Sequence, residues 1–288
     1  MIYPNNFERK IGFDTIREML SAMCISAMGR EQVENMQFKS DAESIQTAMD
    51  QLGEYLNLID GGTYFSLHDL NDLRAEFKRI QIEGTIIDFD ELFNLKSTLM
   101  VAADLVTFAK SDIMVDYPHL QHILNQIHIE HKITNELSHL VDDKGEMPDN
   151  ASPELATIRR SIRHKQGSID KRIRQIMSDA KSAGWTDSKA EVTIRDGRLV
   201  IPVKASDKRQ MRGFIHDESA TGQTVYIEPV EIFDTSSEIR ELEYAERREI
   251  NRILSDFTKL IRNYLPDLQH TWLALGKLDF LRAKVQLA

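Results

Sequence analysis

The sequence predicts a mainly α-helical protein: a multi-helix core, two long antiparallel helices, and a small antiparallel β insert between them. Three observations predict it. Apolar residues recur at steps of three and four through most of the 288 residues. The period changes to two only between Glu191 and Pro229. Long helical patterns lie immediately before and after that island, as two rods joined by a sheet require.

Residues 1–151 form the N-terminal helical part. Ser40-Asp-Ala-Glu43 has capping-box spacing, and Ile45, Ala48, Met49, Leu52, Leu56 and Ile59 follow at helical intervals until Gly61-Gly62 ends the pattern. Further helical stretches run through Leu70, Leu73, Phe77 and Ile80, then Leu92, Leu99, Ala103 and Val106, then Leu120, Ile123, Leu124 and Ile127. DDKGEMPDNASPE interrupts the periodicity, and Ser152-Pro153 supplies a cap and a preset first residue for the next helix.

The ascending helix is assigned to 152–190. Its apolar positions Leu155, Ile158, Ile162, Ile169, Ile173, Ile176 and Ala180 make a narrow seam, flanked by Arg159, Arg160, Arg163, Lys165, Lys171, Arg172 and Arg174. Residues 191–230 are the β insert: VTIR-DG-RLVIPV reads as a hairpin, because Asp-Gly accepts the positive φ angles of a tight turn. FIHDE and QTVYIE, joined by SATG, complete three or four antiparallel strands. The returning helix is assigned to 231–265, opening at a second capping box, Thr235-Ser-Ser-Glu238. Its Glu246-Arg-Arg-Glu249 stretch is charged on every side and reads as solvated. Residues 266–288 rejoin the helical core.

The formal charge of −10 conceals a segregation: Leu155 to Gly213 hold 15 Lys and Arg against 6 Asp and Glu, a balance of +9. That tract is where a polyanion would meet the molecule. The N-terminus lacks a basic region followed by an apolar run, and no stretch reaches about 18 uninterrupted apolar residues, so no membrane is expected and the cytoplasm is the expected location. The single cysteine, Cys24, sits among apolar neighbours and reads as a core thiol.

His216, Asp217, Glu218 and Ser219 resemble a catalytic or metal-binding quartet, but successive strand side chains point to opposite faces and do not converge on one atom. Roles for Asp217 and Ser219 in the SATG turn are expected instead. His128 and His131 have the i, i+3 spacing of a ligand pair, with no carboxylate or cysteine to complete a set; no metal is expected. No GxxxxGK[ST], GxGxxG or HExxH occurs, so no catalytic residue and no cofactor is assigned to this chain. The basic excess continues from the helix into the β insert, and Arg195, Arg198, Lys204, Lys208, Arg209 and Arg212 are the candidate phosphate contacts. A second reading makes the seam and its basic face a coiled-coil arm docking on an acidic protein partner.

IYPNNFERKIGFDTIREML, ASPELATIRRSIRHKQGSI, RDGRLVIPVKASDKRQMRGFIHDESATGQTVYIEPVEI and EIRELEYAERREINRIL together resemble the MutS family, in its type-two bacterial branch. The resemblance covers essentially the whole chain. It implies that 191–230 is an inserted clamp and that the long helices are levers on a helical core. It also implies that the chain is a fragment of a parent with an ATPase domain, binding ATP and magnesium, and a small MutS-related nuclease domain. The parent is then a homodimer that closes clamps on nucleic acid, implicated in suppressing recombination through branched DNA and in rescuing collided ribosomes. Duplex or branched DNA and ribosomal RNA are the expected partners.

Overall fold

The computed structural model describes Phe7–Ala288; Ile2 to Asn6 of the IYPNNFERK stretch lie outside the described residues. In chain order the helices are α1 (Phe7–Lys10), α2 (Phe13–Met23), α3 (Ala27–Glu34), α4 (Ala42–Asp60), α5 (Arg74–Ile80), α6 (Phe89–Ala109), α7 (Pro118–Leu124), α8 (His131–Leu140), α9 (Pro153–Ser182), α10 (Val230–Arg262) and α11 (Leu265–Leu287). Strands β1 (Thr193–Arg195), β2 (Arg198–Lys204), β3 (Gly213–Glu218) and β4 (Thr224–Pro229) separate α9 from α10. A mainly helical protein with one small antiparallel sheet is therefore what the sequence encodes.

The chain divides into two compact units, Met1–Pro148 with Leu254–Ala288, and Asp149–Ile253. The first is built around α11, whose Leu268, Trp272, Leu275, Leu278 and Leu281 are buried. Trp272 meets Phe77 edge to face at 4.9 Å, and its indole N–H donates to the Asn71 carbonyl at 2.8 Å, so its large apolar body enters the core without an unsatisfied polar tip. α6 is long and apolar enough to cross a membrane, yet Leu92, Leu95, Leu99, Ala102 and Leu105 are buried in this core, which accounts for its composition.

Two sequence expectations shift here. Asp41, not Ser40, caps α4, its carboxylate accepting from the Ser44 N–H at 2.8 Å. His128 lies before α8 and His131 is its first residue, so the pair does not share a helix face; among the described residues no group of His, Cys, Asp and Glu is arranged to hold a metal.

In the second unit Ser152 caps α9, accepting from the Leu155 N–H at 3.0 Å, with Pro153 at its first position. At 30 residues α9 is about 45 Å long. It closes on Gly184 at φ 76°, with the Trp185 N–H donating to the Ala180 carbonyl, a left-handed cap that glycine adopts without Cβ strain. The sheet order is β1-β2-β4-β3, antiparallel throughout. Ile201, Val203, Val225 and Ile227 pack one face of it on Ile169, Ile173, Met177 and Ala180 of α9 and on Ile232 and Ile239 of α10.

α10 begins at Val230, directly after β4, so Thr235-Ser-Ser-Glu238 lies inside the helix and caps nothing. The Glu246–Glu249 stretch is also not uniformly solvated. Glu246 accepts from Arg159 at 2.6 Å, and the nearly buried Glu249 accepts from the Ser152 hydroxyl at 2.6 Å; only Arg247 and Arg248 are exposed. A residue-type pattern cannot see that two carboxylates of a charged run face a neighbouring helix.

Candidate nucleic-acid interface

The β insert is pinned before any charge is displayed. Asp196 and Gly197 turn the β1–β2 hairpin with φ of 49° and 70°, and Arg240 of α10 donates to the Asp196 carbonyl at 2.7 Å. Gly213, at the start of β3, faces β4 so closely that a Cβ would stand 2.7 Å from Cγ2 of Ile227. Between β2 and β3, Met211 is buried and anchors the Ala205–Gly213 loop to the unit's core.

Of the six predicted cations, the structure commits three to partners within this unit. Arg198 is the most enclosed: its guanidinium pairs with Glu228 at 3.3 Å, donates to the Ser236 hydroxyl at 2.8 Å and lies over Phe233. Arg195 pairs with Asp217 at 3.1 Å and stacks on Tyr226. Lys204 donates to the Gly184 carbonyl at 2.9 Å, at the C-terminal end of α9 where a cation is favoured. Lys208, Arg209 and Arg212 differ: all are exposed, and their side chains have no ion-pair or hydrogen-bond partner among the described residues.

The same division runs along α9. Towards its start, Arg159 pairs with Glu246 and Asp149, Arg163 with Asp149, and Lys165 with Glu238. Among the described residues the exposed Arg160 side chain has no partner there. In the second half the side chains of Lys171, Arg172, Arg174 and Lys181 have no partner among the described residues, and neither has the side chain of Lys189 beyond the helix. In the sequence these helix cations stand out only as flanks of the apolar seam and not as contacts; their signal is the charge excess itself.

The HDES quartet does not converge on one atom, although simple alternation is not the reason: the β3–β4 register shifts between Ile215 and Asp217, and the side chains of His216, Asp217 and Ser219 find separate partners. His216 Nε2 lies 2.8 Å from the fully buried Glu228, Asp217 serves Arg195 and the Glu218 N–H, and the Ser219 hydroxyl accepts from the Thr224 N–H at 3.1 Å across the turn. Glu228 is the residue that sequence reasoning missed. A buried carboxylate is tolerated only with charge and hydrogen-bond partners, and here Arg198 and His216 supply both from two neighbouring strands.

A set of exposed cations with no partner among the described residues suits a polyanion. It offers point charges to phosphates and no convergent acid, base or nucleophile. Neither GxxxxGK[ST] nor GxGxxG occurs in the unit's sequence.

Comparison with known proteins agrees with the resemblance. No protein-family model matches the chain. Curated relatives named Endonuclease MutS2 do: that of Symbiobacterium thermophilum is 32% identical over 280 residues, covering 97% of this chain and 35% of the relative. That of Alkaliphilus oremlandii is 30% identical over 281 residues with the same coverages, and that of Enterococcus faecalis 32% identical over 281 residues, covering 96% and 35%. The chain thus corresponds to about a third of the length of the MutS2-type proteins it matches.

Proposed function

We propose that this chain, similar along nearly its whole length to part of MutS2-type proteins, is the portion that grips nucleic acid by its backbone without reading sequence. Lys208, Arg209 and Arg212 are the primary phosphate contacts, with Lys171, Arg172, Arg174, Lys181 and Lys189 extending the positive surface. The observation that carries this reading is the division of the cations. Those near the start of α9 are mostly neutralised by Asp149, Glu238 and Glu246, whereas those of its second half and Lys208, Arg209 and Arg212 have no ion-pair partner among the described residues. Unpaired cations release condensed counterions when they meet phosphate, which drives binding without base contacts.

For the whole parent we propose an ATP- and magnesium-dependent, homodimeric, cytoplasmic protein in which this region closes on branched DNA or on ribosomal RNA. Those ligands share the phosphate chemistry this surface recognises. ATP hydrolysis and nuclease chemistry are assigned to the parent's other parts.

The test is the salt dependence of duplex binding. Neutralising about four to six phosphates gives log K against log salt a slope of roughly −4 to −5. The triple variant Lys208→Glu, Arg209→Glu, Arg212→Glu should lower the affinity and flatten the slope by about three. A wild-type slope near zero, or a variant that binds duplex as before, refutes the clamp reading. Replacing 191–230 by a short turn should likewise abolish duplex binding; retained capture of an acidic protein together with absent duplex binding by the intact chain would favour the interaction-arm alternative.

A further inference from the structure

The outer face of the sheet carries a pocket distinct from the cations assigned to phosphate. Tyr226 of β4 stands opposite Pro202 of β2, and Thr224 opposite Lys204, so these four alternate with the core residues Val203, Val225 and Ile227 and share the face turned away from the core. Thr186, from the segment after α9, closes one side. Its hydroxyl donates to the Pro202 carbonyl at 2.5 Å, and the Lys204 N–H donates to the Trp185 carbonyl at 2.9 Å, so that wall is fixed in place. Gln223 and Ser206 complete the lining of a cavity of about 550 Å³, within the roughly 300–1,000 Å³ of sites that take a small organic group.

The lining selects a neutral, polar, flat group. The Gln223 amide and the Thr224 and Tyr226 hydroxyls have no hydrogen-bond partner among the described residues, and between them they both donate and accept. The Arg195 guanidinium lies over the Tyr226 ring at 4.4 Å and holds that aromatic wall in position. A phosphate is disfavoured inside: Asp187 lines the pocket, Asp207 holds the Ser206 hydroxyl at 2.9 Å, and the Lys204 ammonium is already bonded to the Gly184 carbonyl. Cations without partners lie just outside. Lys189 is two residues from Asp187 and Lys208 two residues from Ser206, both exposed.

We infer that this pocket receives one unpaired base of a nucleic-acid strand whose flanking phosphates are held by Lys189 and Lys208. The inference rests on the backbone-gripping reading and narrows its ligand to nucleic acid with an unstacked nucleotide. An amide and two hydroxyls exchange donor and acceptor roles, so the pocket takes any base, in keeping with a grip that does not read sequence. A base already out of the stack enters without the cost of unpairing it.

Three DNA duplexes of one sequence test it on the full chain by fluorescence anisotropy: one fully paired, one with a single unpaired nucleotide, and one with an abasic residue in place of that nucleotide. The unpaired nucleotide should tighten binding about tenfold over the paired duplex. The abasic residue should remove that gain, because it keeps the flexible backbone and lacks the base. Tyr226→Ala should abolish the preference, and Gln223→Ala, at an exposed side chain, should reduce it severalfold without moving the melting curve. Equal binding of all three duplexes, a gain kept by the abasic one, or a preference that survives both variants would overturn the pocket and leave the phosphate grip standing. Absence of binding to any of the three would remove that grip and the pocket with it.

Discussion

A methyl group on Gly29 would stand 2.8 Å from Cγ of Asp279, inside the contact distance of two carbons, so α3 and α11 cross where only a glycine fits. Asp279 uses that proximity. Fully buried, it accepts from the Ser26 N–H at 2.8 Å, the Ser26 hydroxyl at 2.7 Å and Arg282 at 3.1 Å, while Ser26 itself caps α3. Gly29→Ala should cost about 1–3 kcal/mol through overpacking, and Asp279→Ala about 3 kcal/mol by stranding the Ser26 donors and Arg282. Urea unfolding followed by circular dichroism measures both; a neutral Gly29→Ala would show that the crossing has slack.

Arg198 and Arg209 separate structure from binding. Arg198→Ala removes one partner of the buried Glu228 and should destabilise the second unit by about 3 kcal/mol, with duplex affinity of the folded protein close to wild type. Arg209→Ala should leave stability within about 0.5 kcal/mol and weaken duplex binding. If Arg198→Ala folds normally and binds weakly, the two assignments are reversed.

The Ser152–Glu249 contact makes stability depend on acid. The hydrogen bond from Arg252, with that of the Ser152 hydroxyl, holds the Glu249 carboxyl at about 2 from an ordinary 4.5. A depressed native pKa stabilises the fold above the unfolded value, and the contribution disappears as pH falls from about 4.5 towards 2. Compared with Glu249→Gln, wild type should therefore gain on the order of 2 kcal/mol at pH 6 and almost nothing at pH 2. A pH-independent difference between the two would contradict the depressed carboxyl.

Cys24 should be chemically silent while the chain is folded. It is 4% exposed, and burial, aided by the nearby Asp279, pushes its thiol up to about 11. Iodoacetamide at pH 8 should not label native protein and should label it fully in urea, since the thiolate is the reacting species. Rapid native labelling would mean that the α2–α3 junction opens readily.

Much of this was legible in the linear chain. Ser152-Pro153 marks the start of α9, Asp196-Gly197 marks a hairpin, and the seam residues predict which side of α9 is buried, because caps, turns and periodicity are local physics. The misreadings share a cause. Thr235-Ser-Ser-Glu238 has the right spacing for a cap, but the chain leaves β4 already in helical conformation at Val230, and Ser236 receives Arg198 instead. Local spacing cannot report a partner 38 residues away.

By itself the sequence determined the mainly helical class, the β insert between two long helices and the positive tract from Leu155 to Gly213, since each depends on residue type and near-neighbour order. Only the tertiary structure decided which of those cations are paired in holding the fold and which have no partner among the described residues. A charge is neutralised by whatever the fold brings within about 4 Å of it, and Glu228, Glu238 and Glu246 reach their cations from distant parts of the chain.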